Sequence, residues 1–284
     1  LHCQYFCLFF CQTHWRITEW TQKRDYEAAA SHGIRYKVLA QFCTDLNNNG
    51  AQTYIGFHSI KHDELGRGFA PYIFTADEIR RFLAASAEVK PSKWSRYTHL
   101  VLPVMFRLLY SSGLRLSETI MLEISDVDLD AGMLSIRDTK FDKSRKLPMA
   151  ESMLAVCKWY VQKMQEAFRG TRFFFPAPDG GHFAECTIYT RYREILFAAG
   201  ISHGGRGKGP RLHDLRHTFA VHALRKLVSE GQDLYVTLPI LSNYLGHKSL
   251  VSTECYLRLT AEVYPELTEN FEAHFGSVFP ELQS

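Results

Sequence analysis

Apolar positions along this chain recur mostly at helical spacing, with one short interval of strand-like runs. Ile34, Val38, Leu39, Phe42 and Leu46 fall on one helix face, and the run Asn47, Asn48, Asn49, Gly50 stops that helix. Residues 58–71 lose the periodicity and carry two glycines and a proline, which predicts a linker. Thr75 and Glu78 then stand at T-x-x-E spacing, in which each side chain satisfies the other's free backbone N–H at a helix start. A long helix over about 97–112 stops at Gly113, a residue type that accepts the left-handed conformation past a helix end. A short helix after Leu116 leads into 125–130.

Two extended runs, 133–137 and 145–149, flank the polar turn 138–144 and predict a β-hairpin with basic residues along it. Helical patterns resume at about 150–168, 185–199, 213–229, 237–245 and 250–258, with a last one near 261–274. Pro239 suits the first turn of its helix and Gly246 closes it. The expected fold class is mainly α with a small antiparallel β-sheet (α+β). The expected divisions are 1–57, a linker at 58–71, and 72–284.

Composition adds bounds. Twenty Phe, 14 Tyr and 4 Trp supply ample core material and exclude general disorder. The formal net charge is only +3, which says little about nucleic acid. Its distribution says more. Residues 201–226 carry Arg206, Lys208, Arg211, Arg216, Arg225 and Lys226 against Asp214 alone, whereas 259–284 carry five Glu and no Lys or Arg. A local basic surface is what phosphate-backbone binding requires, and Arg206, Lys208 and Arg211, with Lys143 and Arg145 of the hairpin, are the candidate contacts for such a backbone.

Seven cysteines form no CxxC pair, and Cys3, Cys7 and Cys11, spaced by four, read as small apolar residues in a reducing compartment. The start lacks a basic region before its aromatics, and no apolar stretch approaches a membrane span. A cytoplasmic protein without a membrane partner is expected. The chain begins with Leu1, which reads as a fragment or an altered start.

Candidate chemistry gathers in three places. His213 and Arg216, three apart, share a helix face and can converge on one ligand. His213 and His217, four apart, have the spacing of two ligands in an H-E-x-x-H zinc site, but Asp214 holds the second position and no third ligand is apparent. A zinc-dependent hydrolase on His213 and His217 is one alternative; otherwise His217 packs or hydrogen-bonds within the fold. Arg115 follows the stop at Gly113, and His247 and Tyr256 lie nine residues apart across a helix end.

The set G-L-R-L-S-E at 113–118, H-D-L-R-H-T-F-A at 213–220, L-G-H at 245–247 and Tyr256 nine residues after His247 resembles the tyrosine recombinases, the phage-integrase family. The resemblance covers about 71–260. Residues 17–70 resemble the end of that family's helical core-binding domain, and 1–16 do not. It implies a catalytic domain with a C-terminal helix at 72–284, preceded by a truncated core-binding, DNA-binding domain at 1–57. It also implies site-specific cutting and rejoining of duplex DNA through a covalent 3′-phosphotyrosyl intermediate.

In that chemistry Tyr256 is the nucleophile, a phenol with an ordinary pKa of about 10 that needs activation. Arg115 and Arg216 offer planar forks matched to phosphate oxygens. The resemblance makes His213 the proton acceptor, His247 a donor to a non-bridging oxygen, and Glu118 a buttress of the arginines. It makes a hairpin lysine the general acid, here Lys140, with Lys143 and Lys146 as competitors. A phosphotyrosine conserves the phosphodiester bond energy, so no nucleotide cofactor is needed, and the arginines neutralise charge as metal ions do elsewhere; neither cofactor nor metal is expected. The implied partners are double-stranded DNA, further protomers in a homotetrameric synapse, and accessory DNA-bending proteins. Val263, Leu267, Phe271 and Phe275 give the tail an apolar face that docks on a neighbouring protomer or on its own domain. The other alternative is a DNA-binding remnant without catalysis. A type IB topoisomerase shares the tyrosine chemistry.

Overall fold

The computed structural model describes residues 22, 24, 25, 27, 29–50, 71–91, 95–138, 143–204, 209–247, 253, 256, 259 and 260. Lys140, Arg206, Lys208, Cys3, Cys7, Cys11, residues 58–70 of the expected linker and the expected helix at 261–274 lie outside them, as does most of the expected helix at 250–258. The chain divides into two compact units, Leu1–Ala70 and Pro71–Ser284.

In the first unit, α1 (Ala29–Asn48) forms where the periodicity placed it. Its expected apolar face is not its buried one: Ile34, Val38 and Phe42 stay 62%, 63% and 58% exposed, and Cys43 is buried instead. Periodicity marks a face, but burial requires a second element laid against it.

In the second unit, α2 (Ala76–Ala87) opens on the expected capping box. The Thr75 backbone N–H donates to Glu78 Oε2 at 2.8 Å, and the Glu78 N–H donates to Thr75 Oγ1 at 3.2 Å. The next helix, α3 (Thr98–Ser112), buries Val101, Leu102, Val104, Met105, Phe106, Leu108 and Leu109. A helix apolar on most of its circumference belongs at the centre. It packs against α2, α5 (Glu151–Phe168) and α7 (Asp214–Ser229). Phe82 of α2 meets Phe106 of α3 and Tyr192 of α6 (Glu185–Ala198) edge-on, with ring centroids 5.3 and 5.5 Å apart. Such edge-to-face pairs add to the area that aromatic side chains bury.

Gly113 ends α3 with φ 57°, and a Cβ there would stand 2.4 Å from Phe219 Cδ1. Only glycine meets both demands. After it come α4 (Leu116–Ile120), a 3₁₀ turn (Ile124–Asp126) and a three-stranded antiparallel sheet in the order β1 (Val127–Asp128), β2 (Met133–Asp138), β3 (Lys143–Pro148). The hairpin β2–β3 matches expectation. The two-residue β1 is too short to leave a pattern. Leu134 pairs with Leu147 and Ile136 with Arg145, so these four side chains share one sheet face. Leu134, Ile136 and Leu147 are buried there.

The chain continues into α8 (Leu234–Leu245). This helix begins three residues before the expected start, so Pro239 lies inside it rather than in its first turn. The Val236 and Thr237 N–H groups already donate to the Asp233 carbonyl, at 3.2 and 2.9 Å, which sets the earlier start. A proline there removes one ladder bond, which this exposed position tolerates. A second, smaller core joins Ala220, Val221 and Leu224 of α7 to Leu241 and Leu245 of α8, with Tyr256 and Leu259. No helix among the described residues is long and apolar enough to cross a membrane.

Candidate active site

The first turn of α7 delivers Arg216 into the interior, 2% exposed. Its Nη1 donates to the Gly113 carbonyl and its Nη2 to the Leu245 carbonyl, both at 2.6 Å. These carbonyls sit at the C-terminal ends of α3 and α8, where oxygens lack helical partners and the helix dipole is negative. Burial and the neighbouring Arg115 lower the Arg216 pKa to about 10, so it remains a cation at neutral pH.

Arg115 precedes α4. Its backbone N–H donates to Glu118 Oε2 at 2.9 Å, its Nη1 to Glu118 Oε1 at 2.9 Å, and its Nη2 to the Gly246 carbonyl at 3.0 Å. Glu118 also receives Arg145 from β3 through two parallel bonds, Nη1 to Oε1 and Nη2 to Oε2, each 2.9 Å. The third nitrogen of Arg145, Nε, donates to the Tyr244 carbonyl at 3.1 Å. Burial pushes the Glu118 carboxyl up, but the Arg145 bonds, the Arg115 amide and the two guanidinium charges outweigh it and hold the group below its ordinary value. The carbonyls of Tyr244, Leu245 and Gly246 thus each accept from a different arginine. Gly246 has φ 69°, and a Cβ on it would stand 2.8 Å from Arg145 Nη1, which gives the glycine of L-G-H its physical reason.

The other half of the site is aromatic. Tyr256 is 2% exposed, and its hydroxyl lies 3.0 Å from His217 Nδ1. The His247 ring stacks against it, centroids 6.0 Å apart and planes at 19°, and is itself held by a 2.8 Å bond between its Nδ1 and Thr253 Oγ1. His213, at the cap of α7, meets His217 edge-on with centroids 4.9 Å apart. Burial first, then the positive neighbours, lowers all three imidazoles: His217 and His247 to about 4, and His213 in the same direction. At neutral pH these rings are uncharged. With its proton on Nε2, a neutral His217 presents Nδ1 as an acceptor to the Tyr256 hydroxyl.

Arg115, Glu118, His213, Arg216, His247 and Tyr256 therefore come together. The remaining expected residues are placed differently. Arg145 turns onto Glu118, with its side chain 14% exposed. The Arg211 N–H donates to Asp214 Oδ2 at 2.8 Å and its Nη2 to Oδ1 at 2.9 Å, so it holds the start of α7 while staying 44% exposed. Lys143 opens β3 opposite Asp138, and Lys146 is exposed. Among the described residues, no group of three or more His, Cys, Asp or Glu could hold a metal ion. His213 and His217 meet edge to face, with His217 Nδ1 given to Tyr256, which disfavours a zinc hydrolase. His217, expected to pack or hydrogen-bond within the fold, does so on Tyr256; its four-residue spacing from His213 is the signal that sets the two rings side by side.

Residues 73–262 match the model of the Phage integrase family. A Sinorhizobium fredii protein named as integrase/recombinase y4rB is 35% identical over 210 residues, 71% of this chain and 66% of that one. Tyrosine recombinase XerA of Pyrococcus furiosus is 29% identical over 201 residues, 70% of this chain and 61% of that one. This chain thus spans about two thirds of the length of these relatives. The fold is also that of XerH site-specific recombinase bound to palindromic difH substrate, with a TM-score of 0.65, 18% identity, and coverage of 86% of this chain and 68% of that one. The arginines on their helix ends, the tyrosine on its imidazoles and the family match agree, and the chain belongs to the phage integrase family, the tyrosine recombinases.

Proposed function

We propose that this chain is a site-specific recombinase that cuts and rejoins duplex DNA through a 3′-phosphotyrosyl intermediate on Tyr256. The observation that carries this reading is the placement of the Tyr256 hydroxyl on a neutral imidazole beside Arg115 and Arg216. A guanidinium has five N–H donors, so Arg216 keeps donors for a phosphate after serving two carbonyls. The two arginines stabilise the charge that builds on the phosphorus oxygens during attack.

The Tyr256 oxygen attacks phosphorus as its proton passes to His217, and the bond to the 5′-oxygen breaks. That oxygen takes a proton from a hairpin lysine, Lys140 by family resemblance, with Lys143 and Lys146 the competitors. His247, whose Nδ1 is engaged by Thr253, has Nε2 left to serve a non-bridging oxygen. His213, the acceptor that the resemblance implies, stands beside His217 with ring centroids 4.9 Å apart and takes the proton onward. Attack by a 5′-hydroxyl on the phosphotyrosine reverses the sequence and rejoins strands. In this reading residues 1–57 bind DNA as the partial core-binding domain, Lys143, Arg206, Lys208 and Arg211 follow its backbone, and four protomers form the synapse. Accessory bending proteins assist, and the reaction proceeds in the cytoplasm.

The test is covalent capture of a nicked suicide duplex. The wild-type chain is expected to form a protein–DNA adduct, and Tyr256→Phe is expected to form none while still shifting the DNA in a gel. Equal capture by both proteins overturns the assignment. A shift without an adduct from the wild-type chain supports the non-catalytic remnant.

A further inference from the structure

We infer that Arg145 is a positioning residue of the recombination site, which sets Arg115 through Glu118 and braces the end of α8, rather than a contact for the DNA backbone. The inference rests on the proposed function, since it concerns the same reaction.

The strand register turns the side chain inward. Arg145 pairs with Ile136 and stands two residues before Leu147, and both of those are buried on the sheet face they share with Arg145. An arginine on that face needs an acceptor for its charge, because an unpaired buried cation is costly. Glu118, 9% exposed, supplies it in a two-pronged pair at 2.9 Å on both arms, while Nε reaches the Tyr244 carbonyl at 3.1 Å. All three guanidinium nitrogens are thus used inside the protein.

Glu118 transmits that placement. Each of its carboxylate oxygens accepts one bond from Arg145 and one from Arg115: Oε1 from the Arg115 Nη1, and Oε2 from the Arg115 amide. Four donors define the carboxylate plane, and Arg115 takes its direction from that plane. Gly246 completes the arrangement by leaving room for the Arg145 guanidinium beside the backbone that also carries the Arg115 acceptor. Lysine would carry the charge but not the planar fork, so charge alone does not replace Arg145.

The experiment compares wild type with Arg145→Lys, Arg145→Ala and Glu118→Gln on the nicked suicide duplex. Capture rates are measured at saturating protein, and DNA affinity is measured across a salt series. Arg145→Lys and Arg145→Ala are expected to slow capture at saturation by about 10²-fold, the scale of a displaced reacting group, with the salt dependence of affinity unchanged. Adding Glu118→Gln to Arg145→Lys is expected to cost little more than either change alone, because the two act as one unit. A direct backbone contact gives the opposite result: weaker binding, a salt slope shallower by about one, and wild-type capture at saturation. That result overturns the inference. Should Arg145→Ala fail to fold, Arg145→Lys decides alone, and wild-type capture by it also overturns the inference. An adduct formed by the wild-type chain keeps either outcome separate from failure of the proposed function.

Discussion

Arg216 and Tyr256 are both 2% exposed, yet the site holds them by different means. Arg216 is fastened to backbone, the carbonyls that close α3 and α8, and Arg115 and Arg145 are fastened to the next carbonyls and to Glu118. Those acceptors cannot be titrated away near neutral pH, and their positions follow from helix ends. Tyr256 rests against side chains instead, His217 through its hydroxyl and His247 through its ring. Imidazoles change charge with their surroundings. The cationic half is thus prepared before any substrate arrives, which is where electrostatic catalysis gains most. In the proposed reaction the tyrosine half has an acceptor whose proton affinity rises when an anionic phosphate comes near.

The sharpest way to break this contrast is to remove a cation from its carbonyls. Arg216→Ala is expected to reduce covalent capture at saturation by about 10³-fold, the upper range for loss of one preorganised donor. It also leaves the Gly113 and Leu245 carbonyls without their arginine, at roughly 1–3 kcal/mol for each buried acceptor, so urea denaturation should show a destabilised chain. His217→Gln acts on the other half. Capture should slow by about 10²-fold, the lower range for loss of a positioned base, with stability at neutral pH nearly unchanged. Replacing Tyr256 by a fluorinated tyrosine, whose phenol is more acidic, should restore part of that loss. Faster capture by His217→Gln would show instead that the hydrogen bond restrains the nucleophile. Gly246→Ala tests the join between the halves: a left-handed alanine costs about 1–2 kcal/mol before Arg145 is displaced, and the unfolding midpoint should fall accordingly.

The same contrast explains what could be read from the sequence. Gly113 and Gly246 were legible because helix ends leave a local signal, and the capping box at Thr75 likewise. Arg115, Arg216 and Tyr256 were marked by the spacing of the motifs that resemble the family, and the fold brings the three together. Arg145 was not. A polar residue in a strand reads as outward-facing, and the carboxylate that lets it turn inward is 27 residues away. His217 was legible as a helical position, but its role depends on Tyr256, which returns 39 residues later. The basic run at 201–226 is divided by the fold: Arg216 is buried on two carbonyls, whereas Arg211 pairs with Asp214 and stays 44% exposed. Charge along a sequence does not tell which cations the fold buries and which it leaves at the surface.

The mildest perturbation is acid, and it should separate the halves without a mutation. His217 and His247 have folded values near 4 against an ordinary 6.5, so between those values the unfolded chain binds protons that the folded chain refuses. Stability therefore rises with pH across that window, is fully present above about 6.5, and is lost as pH falls toward 4. Glu118 has the same sign in a lower window, because its carboxyl is held below the ordinary 4.5 and its contribution fades only as pH falls beneath that value. Urea denaturation at a series of pH values should show a first decline between about 6.5 and 4, with a shallower slope in the His217→Gln, His247→Gln double variant. A decline of equal slope in wild type and variant would remove these imidazoles as its cause. If the slopes differ as expected, the tyrosine half loosens in acid while the arginine cluster, tied to carbonyls and to a still-ionised Glu118, keeps its geometry.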